Sequence, residues 1–385
     1  MKSLIKIKFL IVFGILLGFT SCQEDDNDPG NQSSDEKVEL LNLMNEVYLW
    51  YNQIPDVNAG DFNTTTDYFY ALRFLPRDIW SFMIPYSQYE EVFLRGESTS
   101  YGFRLARVGS EIFVYHVYDK SPAGLVGIKR GDKVTAVNGT ASDQLSNDQV
   151  NEVLAANEGE FSIENPDGEV STYVLTKSVF TTNLIMHREI VNISGKKVGY
   201  LVYDGFLETS ENDLIESFEY FKDQQVDELI LDLRYNTGGL VRLATLLAGM
   251  IVDPALHGET LFTYEFNDKI SENNETQRID PVPQKQNLSL ERLFVITTES
   301  SASASELLIS GLDPYMDVIT IGSNTNGKPV GQWVIRQNYK SGQYAVAPIT
   351  FRTVNSNGEA DYFDGLPVDS EQYDNVTAPW GSMDE

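Results

Sequence analysis

The fold of this chain is decided by residues 229–239, which have the sequence LILDLRYNTGG. The apolar first half is typical of a buried β-strand. Two glycines end the stretch, and leucines then return at helical spacing between positions 240 and 247. A strand, a glycine turn and a helix start together present backbone N–H groups that can face a developing oxyanion. For this stretch alone, the alternative is an ordinary βα turn whose glycines serve only positive φ.

A second informative segment is the small-residue run at 301–306, SASASE, which precedes an apolar stretch. Ser303 lies in the middle of this run. A serine hydroxyl is a weak nucleophile until a base removes its proton. Taken alone, such a run is more often a helix N-cap than a catalytic turn.

Lys328 is the candidate base, because it follows Ser303 by 25 positions in the segment NGKPVGQ at 326–332. A lysine acts as a base only where a dry site lowers its pKa from about 10.4 to about 7–8. The three histidines, His116, His187 and His257, lie outside any comparable Gly/Ser-rich turn. A lone lysine beside glycine is usually a solvated loop residue, so this candidate depends on its combination with the other two segments.

The three segments, in this order, resemble the motifs of the C-terminal processing peptidases, also called tail-specific proteases. That family carries Asp-Leu-Arg-x-Asn-x-Gly-Gly, then Ser-Ala-Ser-Ala-Ser-Glu, then Gly-Lys-x-x-x-Gln, and this chain matches at 232–239, 301–306 and 327–332. The resemblance covers roughly residues 86–369 and implies an α/β catalytic core of the ClpP/crotonase-like class. Pro329 is a departure, because a glycine often follows the family's lysine.

The resemblance also assigns catalytic roles. Ser303 is implied as the nucleophile, Lys328 as the general base, and Gln332 as the residue that orients the lysine amine. The implied enzyme is a serine-type endopeptidase with a Ser-Lys dyad and with no metal or organic cofactor. The residues implied in supporting roles are the oxyanion-hole candidates Gly238, Gly239 and Ala304, and the acid Glu306.

Residues 98–178 are predicted to form a second, β-rich unit. Strands at 101–106 and 112–117 precede the motifs SPAGL at 121–125 and GDKVTAVNG at 131–139. This pattern resembles a protease-associated PDZ domain that precedes or is inserted into the core. Tyr101, Gly102 and Phe103 would then lie in the loop that binds a peptide carboxylate, with the groove helix at 145–156. Ser100 stands where that family's Gly-Leu-Gly-Phe loop begins with glycine.

The N-terminus resembles a bacterial lipoprotein signal. Three lysines precede an apolar run at 9–19 that is too short to span a membrane comfortably, and FTSC at 19–22 resembles a lipobox. Cys22, the only cysteine in the chain, is the predicted acylation site. The polar segment at 23–37 predicts a flexible tether. The predicted location is the cell envelope of a Gram-negative bacterium, lipid-anchored to the outer membrane at its periplasmic face or at the cell surface.

The predicted organisation is therefore a signal peptide at 1–21, a tether at 22–37, a small helical N-terminal region at 38–97, the PDZ-like domain at 98–178 and the α/β peptidase core at 179–385. The chain of 385 residues carries a net charge of −29, which would repel phosphate backbones and argues against nucleic-acid binding. The expected partners are protein or peptide substrates and, through acylated Cys22, a lipid bilayer. The oligomeric state is left open.

Two other functions are compatible with parts of this pattern. The first is a catalytically inactive PDZ-type peptide-binding lipoprotein, against which the intact Ser303, Lys328 and Gln332 count. The second is a Ser-His-Asp esterase that uses His187 or His257. No Gly-x-Ser-x-Gly elbow surrounds Ser303, which counts against that second function.

Overall fold

A computed structural model describes residues 8–9 and 29–382. The α-helices of these residues are α1 Pro29–Val47, α2 Thr65–Ala71, α3 Tyr86–Tyr89, α4 Pro122–Leu125, α5 Asn147–Ala155, α6 Glu211–Asp223, α7 Val241–Ile251 and α8 Ala304–Leu312. Their strands are β1 Lys8–Phe9, β2 Phe82–Pro85, β3 Glu97–Ser100, β4 Phe103–Val108, β5 Glu111–Val117, β6 Lys133–Val137, β7 Thr140–Ala141, β8 Glu158–Glu164, β9 Val170–Thr176, β10 Ser178–Thr181, β11 Ile185–Ile193, β12 Lys196–Tyr203, β13 Glu228–Asp232, β14 Thr260–Phe266, β15 Glu275–Arg278, β16 Arg292–Thr297, β17 Asp317–Gly322, β18 Val330–Gln332, β19 Ile335–Tyr339, β20 Gly342–Ala347, β21 Ile349–Asn355 and β22 Ser370–Glu371.

The chain forms two compact units, and each is discontinuous in sequence. Among the described residues, one unit combines Lys8 and Phe9 with Arg95–Glu189 and residues 373–382. The other unit combines residues 29–94 with Ile190–Gln372. Within residues 29–382 the chain therefore passes between the units after Leu94, after Glu189 and after Gln372.

The second unit contains the α/β core. Its main sheet has the order β11-β12-β13-β16-β17-β22, and neighbouring strands from β12 to β22 run parallel. Helices α6, α7 and α8 follow β12, β13 and β16 in the chain, as is usual for parallel strands. The predicted α/β core is therefore confirmed.

Strand β13, Glu228–Asp232, is covered on both faces. Leu229 and Leu231 are fully buried on one face, and Glu228 and Asp232 are buried on the other. A strand between two parallel neighbours, with helices in the connections, carries a nearly continuous apolar run rather than an alternating one. The strand ends at Asp232, whose carboxylate accepts hydrogen bonds from Tyr200 Oη at 2.8 Å and from Arg234 Nε at 3.0 Å.

The N-terminal region begins earlier than the sequence predicted. Helix α1 starts at Pro29, inside the segment predicted as a tether. Glu36 is buried and accepts hydrogen bonds from Thr65 Oγ1 at 3.0 Å and from the Ser341 N–H at 2.9 Å. Lys37 is also buried and donates to a backbone carbonyl at 2.7 Å. Their partners lie far along the chain, so local composition did not indicate that these polar residues are folded.

The N-terminal region belongs to the catalytic unit. Strand β2 pairs with β20, and α1 and α2 pack on an apolar cluster that includes residues from β18, β20 and β21. The cluster contains Leu40, Met44, Tyr48, Phe69, Val330, Val346 and Ile349. One edge of the catalytic unit is thus built by residues that precede the PDZ-like domain in sequence.

The first unit has the predicted β-rich PDZ fold. Its sheet has the order β1-β4-β5-β6-β8-β9, with β7 paired to β6. Helix α5 supplies Val150, which is fully buried in the core of this unit. Lys8 and Phe9 pair with the outer edge of β4. Cys22 and the predicted signal-cleavage site lie outside the described residues.

The C-terminal strap, residues 373–382, belongs to this PDZ-like unit. Arg130 donates to Asp374 at 2.6 Å, and both side chains are only 2% exposed. The same guanidinium donates to the Ala378 carbonyl at 3.0 Å and lies over the Trp380 ring at 4.0 Å. A buried charge needs such partners to offset its lost hydration. The strap is therefore anchored on the PDZ-like unit by one buried arginine.

Candidate active site

Three adjacent parallel strands bring the three sequence motifs together. The glycine turn follows β13, the serine run follows β16, and the lysine segment follows β17. Strand β16 pairs with both of the others. Because the carboxyl ends of parallel strands meet at one edge of a sheet, segments more than 60 residues apart in sequence form one site.

Ser303 precedes helix α8 and has a strained backbone. Its φ is 55° and its ψ is −113°, a region that residues with a side chain rarely adopt. Such a conformation costs on the order of 1–3 kcal/mol and is concentrated at functional sites. Its N–H donates to Glu306 Oε2 at 2.8 Å. Its hydroxyl donates no hydrogen bond to any other residue that the structure describes.

The neighbouring serines differ from Ser303 because their hydroxyls already donate hydrogen bonds to backbone carbonyls. Ser301 Oγ donates to the Leu233 carbonyl at 2.7 Å, and Ser305 Oγ donates to the Asn236 carbonyl at 3.0 Å. Both serines are fully buried. These two hydroxyls attach the serine run to the glycine turn, which leaves Ser303 as the serine of the run with a hydroxyl available for chemistry.

The two glycines have different roles in the turn. The Gly238 N–H donates to Asn236 Oδ1 at 2.9 Å, so it is already used. The N–H groups of Gly239 and Ala304 have no acceptor among the described residues. The pair Gly239 and Ala304 therefore fits an oxyanion hole better than Gly238 does. Gly238 instead provides space, since a Cβ there would lie 2.7 Å from Ser303 Cβ and 2.9 Å from the Ala304 nitrogen.

Gly238→Ala is expected to lower kcat/KM by about 100-fold or more, because the added methyl group would displace the nucleophile and a shift of about 1 Å has effects of that size. The matched control is Gly258→Ala. Gly258 has φ +87°, similar to the +97° of Gly238, but a Cβ there meets nothing within 4 Å. Both variants carry the same kind of backbone strain, and only one carries the clash. Equal activity losses in a peptide-cleavage assay, with both variants folded by circular dichroism, would contradict this role for Gly238.

Lys328 has the lowered pKa that a lysine base requires. Burial lowers its pKa to about 8, while the nearby carboxylates of Glu306 and Asp78 act in the opposite direction. Among the described residues, no side chain makes a hydrogen bond or ion pair with its ammonium group. Its backbone N–H donates to Glu306 Oε2 at 3.0 Å. The structure thus joins the serine and lysine segments through Glu306 rather than by a direct hydrogen bond between Ser303 and Lys328.

Glu306 is the residue that connects the site. Its buried carboxylate accepts hydrogen bonds from Thr325 Oγ1 at 2.6 Å, from the Gly327 N–H at 2.6 Å, and from the N–H groups of Lys328 and Ser303. Burial raises the pKa of this carboxyl, and the hydrogen bonds oppose that rise. The family motif predicted a supporting acid at this position. The sequence did not indicate that four hydrogen-bond donors would converge on the Glu306 carboxylate.

Gln332 lies at the end of β18, where its backbone pairs with Ile349 beside a register shift. Its side chain makes no hydrogen bond to Lys328 within the described part of the chain. Its orienting role therefore stays a prediction. His257 Nε2 lies 3.0 Å from the Gly249 carbonyl, and His187 Nε2 lies 3.4 Å from the Glu189 carboxylate. No hydrogen bond among the described residues joins either ring to the Ser303 hydroxyl, so the site gives no support to a Ser-His-Asp triad.

Sequence reasoning missed two residues of the N-terminal region that lie at this site. Asp78 is fully buried and its charge acts on Lys328. Trp80 Nε1 donates to Asn326 Oδ1 at 3.3 Å, two positions before the lysine. No motif in residues 73–81 indicates this placement, because it depends on how the N-terminal region folds against β20 and β21.

In the PDZ-like unit, groups of the predicted peptide-binding loop already make hydrogen bonds within the protein. The Tyr101 side chain is buried in the core, and its hydroxyl donates to the Ala156 carbonyl at 2.8 Å. The prediction that Tyr101 binds peptide therefore holds at most for its backbone. The Gly102 N–H donates to Ser100 Oγ at 3.1 Å. Ser100, the residue in place of glycine, thus occupies a donor that a peptide carboxylate would need.

A parallel-sheet core with a strained serine, a lysine of lowered pKa and a PDZ-like unit defines a serine peptidase. The comparisons with known families agree. Residues 197–367 match Peptidase family S41, residues 37–82 match the Peptidase S41 N-terminal domain, and residues 91–163 match the PDZ domain. The chain belongs to peptidase family S41.

Two relatives of known name are both carboxyl-terminal-processing enzymes. The chain is 24% identical over 357 residues to the chloroplastic carboxyl-terminal-processing peptidase 1 of Arabidopsis thaliana, covering 84% of this chain and 69% of that protein. It is 25% identical over 242 residues to a carboxyl-terminal-processing protease of Picosynechococcus sp., covering 60% of this chain and 55% of that protein. The chain thus spans only about half the length of the second relative.

Solved structures share the fold over most of the chain. A putative S41 protease from Bacteroides fragilis aligns with a TM-score of 0.75 at 24% identity, covering 94% of this chain and 95% of that one. The photosystem II D1 C-terminal processing protease aligns with a TM-score of 0.54 at 20% identity, covering 89% and 93%. The predicted family and fold class are confirmed.

Proposed function

We propose that this protein hydrolyses peptide bonds in proteins or peptides through a dyad of Ser303 and Lys328. The observation that carries the proposal is the Glu306 carboxylate, which holds the backbones of both residues at once. A buried acid with four donors fixes the two loops relative to each other, and neither reactive side chain is used up in doing so. The serine hydroxyl, which donates no hydrogen bond to another described residue, and the lysine pKa of about 8 support the same proposal.

The chemistry follows from these positions. Neutral Lys328 accepts the proton as Ser303 Oγ attacks the scissile carbonyl carbon. The oxyanion that forms is stabilised by the N–H groups of Ala304 and Gly239, which need no reorganisation to receive it. Lys328 then donates its proton to the leaving amine, and an acyl-enzyme ester remains. Water, deprotonated by the same lysine, hydrolyses the ester and restores the free enzyme.

The test is incubation of the purified protein with a denatured protein such as β-casein, followed by mass spectrometry of the new termini. New termini that depend on the intact Ser303 hydroxyl would support the proposal. The alternative, an inactive PDZ-type peptide-binding protein, predicts binding of casein peptides with no new termini. The same experiment therefore separates the two functions.

We also propose that the PDZ-like unit recruits substrates by their C-termini. The supporting observation is the loop at 100–103, which connects strand β3 to strand β4. Because Ser100 already accepts from the Gly102 N–H, a free carboxylate has to displace that hydroxyl. The proposed preference for a free C-terminus is therefore modest.

Lipid anchoring through Cys22 is likewise proposed, on the strength of the signal-like sequence and the single cysteine. In the described residues, no helix has both the length and the apolar character that a membrane crossing needs. The proposed location is the outer membrane of a Gram-negative cell envelope.

Cys22→Ala is expected to move the protein from the detergent-extracted membrane fraction to the soluble fraction, because acyl chains on that residue would supply most of the membrane affinity. Fractionation and metabolic labelling with an alkyne fatty acid measure the two effects. The purified variant should cleave casein at the wild-type rate. Membrane association that survives the substitution, with no label on the wild type, would argue against anchoring at Cys22.

A further inference from the structure

We infer that Asp78, from the N-terminal region, is a positioning residue for Lys328. The Asp78 carboxylate is held next to the lysine segment at 326–332 and helps to set the charge of the lysine. The inference rests on the proposed function, because it concerns the group proposed there as the base. It adds a functional role for a segment that lies outside the three motifs of the core.

Asp78 is held rigidly in a fully buried pocket. Its Oδ1 accepts from the N–H groups of Trp80 at 3.1 Å and Ser81 at 2.9 Å. Its Oδ2 accepts from Tyr48 Oη at 2.7 Å and Ser81 Oγ at 2.6 Å. Four donors converge on one side chain, an arrangement that fits the ionised, acceptor-only form of a carboxylate.

The loop at 78–81 is hydrogen-bonded to Asn326 in the lysine segment and to Ile349 in strand β21, which pairs with that segment. Trp80 Nε1 donates to Asn326 Oδ1 at 3.3 Å, before Lys328 in the chain. The Ile349 N–H donates to Ser81 Oγ at 2.9 Å, and Ile349 pairs with Gln332 after the lysine. The carboxylate is therefore fixed relative to Lys328 by two independent connections.

The electrostatic effect of this carboxylate has a definite sign. Burial lowers the pKa of Lys328 to about 8, and the carboxylates of Glu306 and Asp78 both favour the protonated lysine. On its other sides Asp78 faces the Tyr48 hydroxyl and the region of Arg73, whose guanidinium donates to the Ser81 carbonyl at 3.5 Å. Removal of the Asp78 charge should therefore lower the pKa of Lys328 further.

Asparagine is well suited to test this at position 78. Its Oδ1 can keep the two backbone N–H donors. Its Nδ2 would face the hydroxyls of Tyr48 and Ser81. Each hydroxyl already accepts one backbone N–H, from Phe74 and Ile349 respectively, and has a second lone pair that can accept from Nδ2. Asp78→Asn thus removes the charge and retains the shape, while Asp78→Glu retains the charge. Asp78→Ser is a second neutral variant in case the asparagine variant does not fold.

The experiment measures the pKa of Lys328 in two ways. In a Ser303→Ala background, the pH dependence of Lys328 acetylation by acetic anhydride is followed by mass spectrometry of the peptide that contains it. In the active enzyme, the acid limb of the kcat/KM profile is recorded. We expect both to move to lower pH by about 0.5–1 in Asp78→Asn, and to stay near the wild-type value in Asp78→Glu. Asp67→Asn, an exposed acid of the same region, is the matched control and should move neither.

The outcomes separate this inference from the proposed function. An unchanged acetylation pKa in a folded neutral variant overturns the role of Asp78, since a merely structural residue would alter stability without moving that value. A shifted acetylation pKa with an unshifted activity profile refutes Lys328 as the base, and with it the proposed function. Parallel shifts in both measurements support both.

Discussion

Ser303→Ala is expected to abolish peptide hydrolysis, with a loss in kcat on the order of 10⁴-fold or more. The variant lacks the oxygen that forms the acyl-enzyme. Neither the Glu306 carboxylate nor the N–H groups of the oxyanion hole can replace that nucleophile. Folding should be retained, because the hydroxyl that is removed donates no hydrogen bond to a described residue. The measurement is casein or peptide cleavage, with thermal unfolding recorded on the same preparation.

Ser301→Ala and Ser305→Ala are the matched controls, since they remove the same atom from the same short run. Each deletes a buried hydrogen bond to a carbonyl of the glycine turn, which costs about 1–3 kcal/mol of stability. Both should therefore unfold at lower temperature and still cleave substrate below that temperature. An inactive Ser305→Ala beside an active Ser303→Ala would show that the nucleophile is assigned wrongly.

Lys328→Arg is expected to be as inactive as Lys328→Ala, although it keeps the positive charge. A guanidinium does not lose its proton in a protein, so it cannot accept one from Ser303. The wild type should show the matching pH dependence. Because burial lowers the lysine pKa to about 8, kcat/KM should fall as the pH drops below 8 and level off above it.

The control for this variant is Lys340→Arg, a lysine elsewhere in the same unit, which should keep wild-type activity. A pH–rate profile and single-turnover cleavage measure the effect. Appreciable turnover by Lys328→Arg, or a wild-type profile that is flat from pH 6 to pH 9, would exclude the lysine as the base.

The sequence predicted those parts of the site that are encoded locally. Residues 229–239 predicted a strand and a glycine turn because buried apolar runs and glycines have local signatures, and the structure has both. The family motifs gave the identities of Ser303, Lys328 and Glu306. What separates Ser303 from Ser301 and Ser305 is the set of carbonyls that each hydroxyl reaches, and those belong to a turn more than 60 residues away.

Long-range pairing also explains what was missed. Asp78 lies at the site because strand β2 pairs with β20 and the Ile349 N–H donates to Ser81 Oγ, contacts that no window of sequence contains. The buried Glu36 and Lys37 were assigned to a tether for the same reason. The Gly102 N–H is already paired because Ser100 stands where the family has a glycine. The serine is visible in the sequence, but its hydrogen bond to Gly102 is not.

The C-terminal strap makes the fold of the PDZ-like unit depend on residues that follow the whole catalytic core in sequence. A chain cut after Gln372 keeps both residues of the proposed dyad, yet it removes Asp374 and Trp380 from around the buried guanidinium of Arg130. Proteolytic removal of residues 373–382 would thus weaken the PDZ-like unit while leaving the residues of the catalytic unit intact.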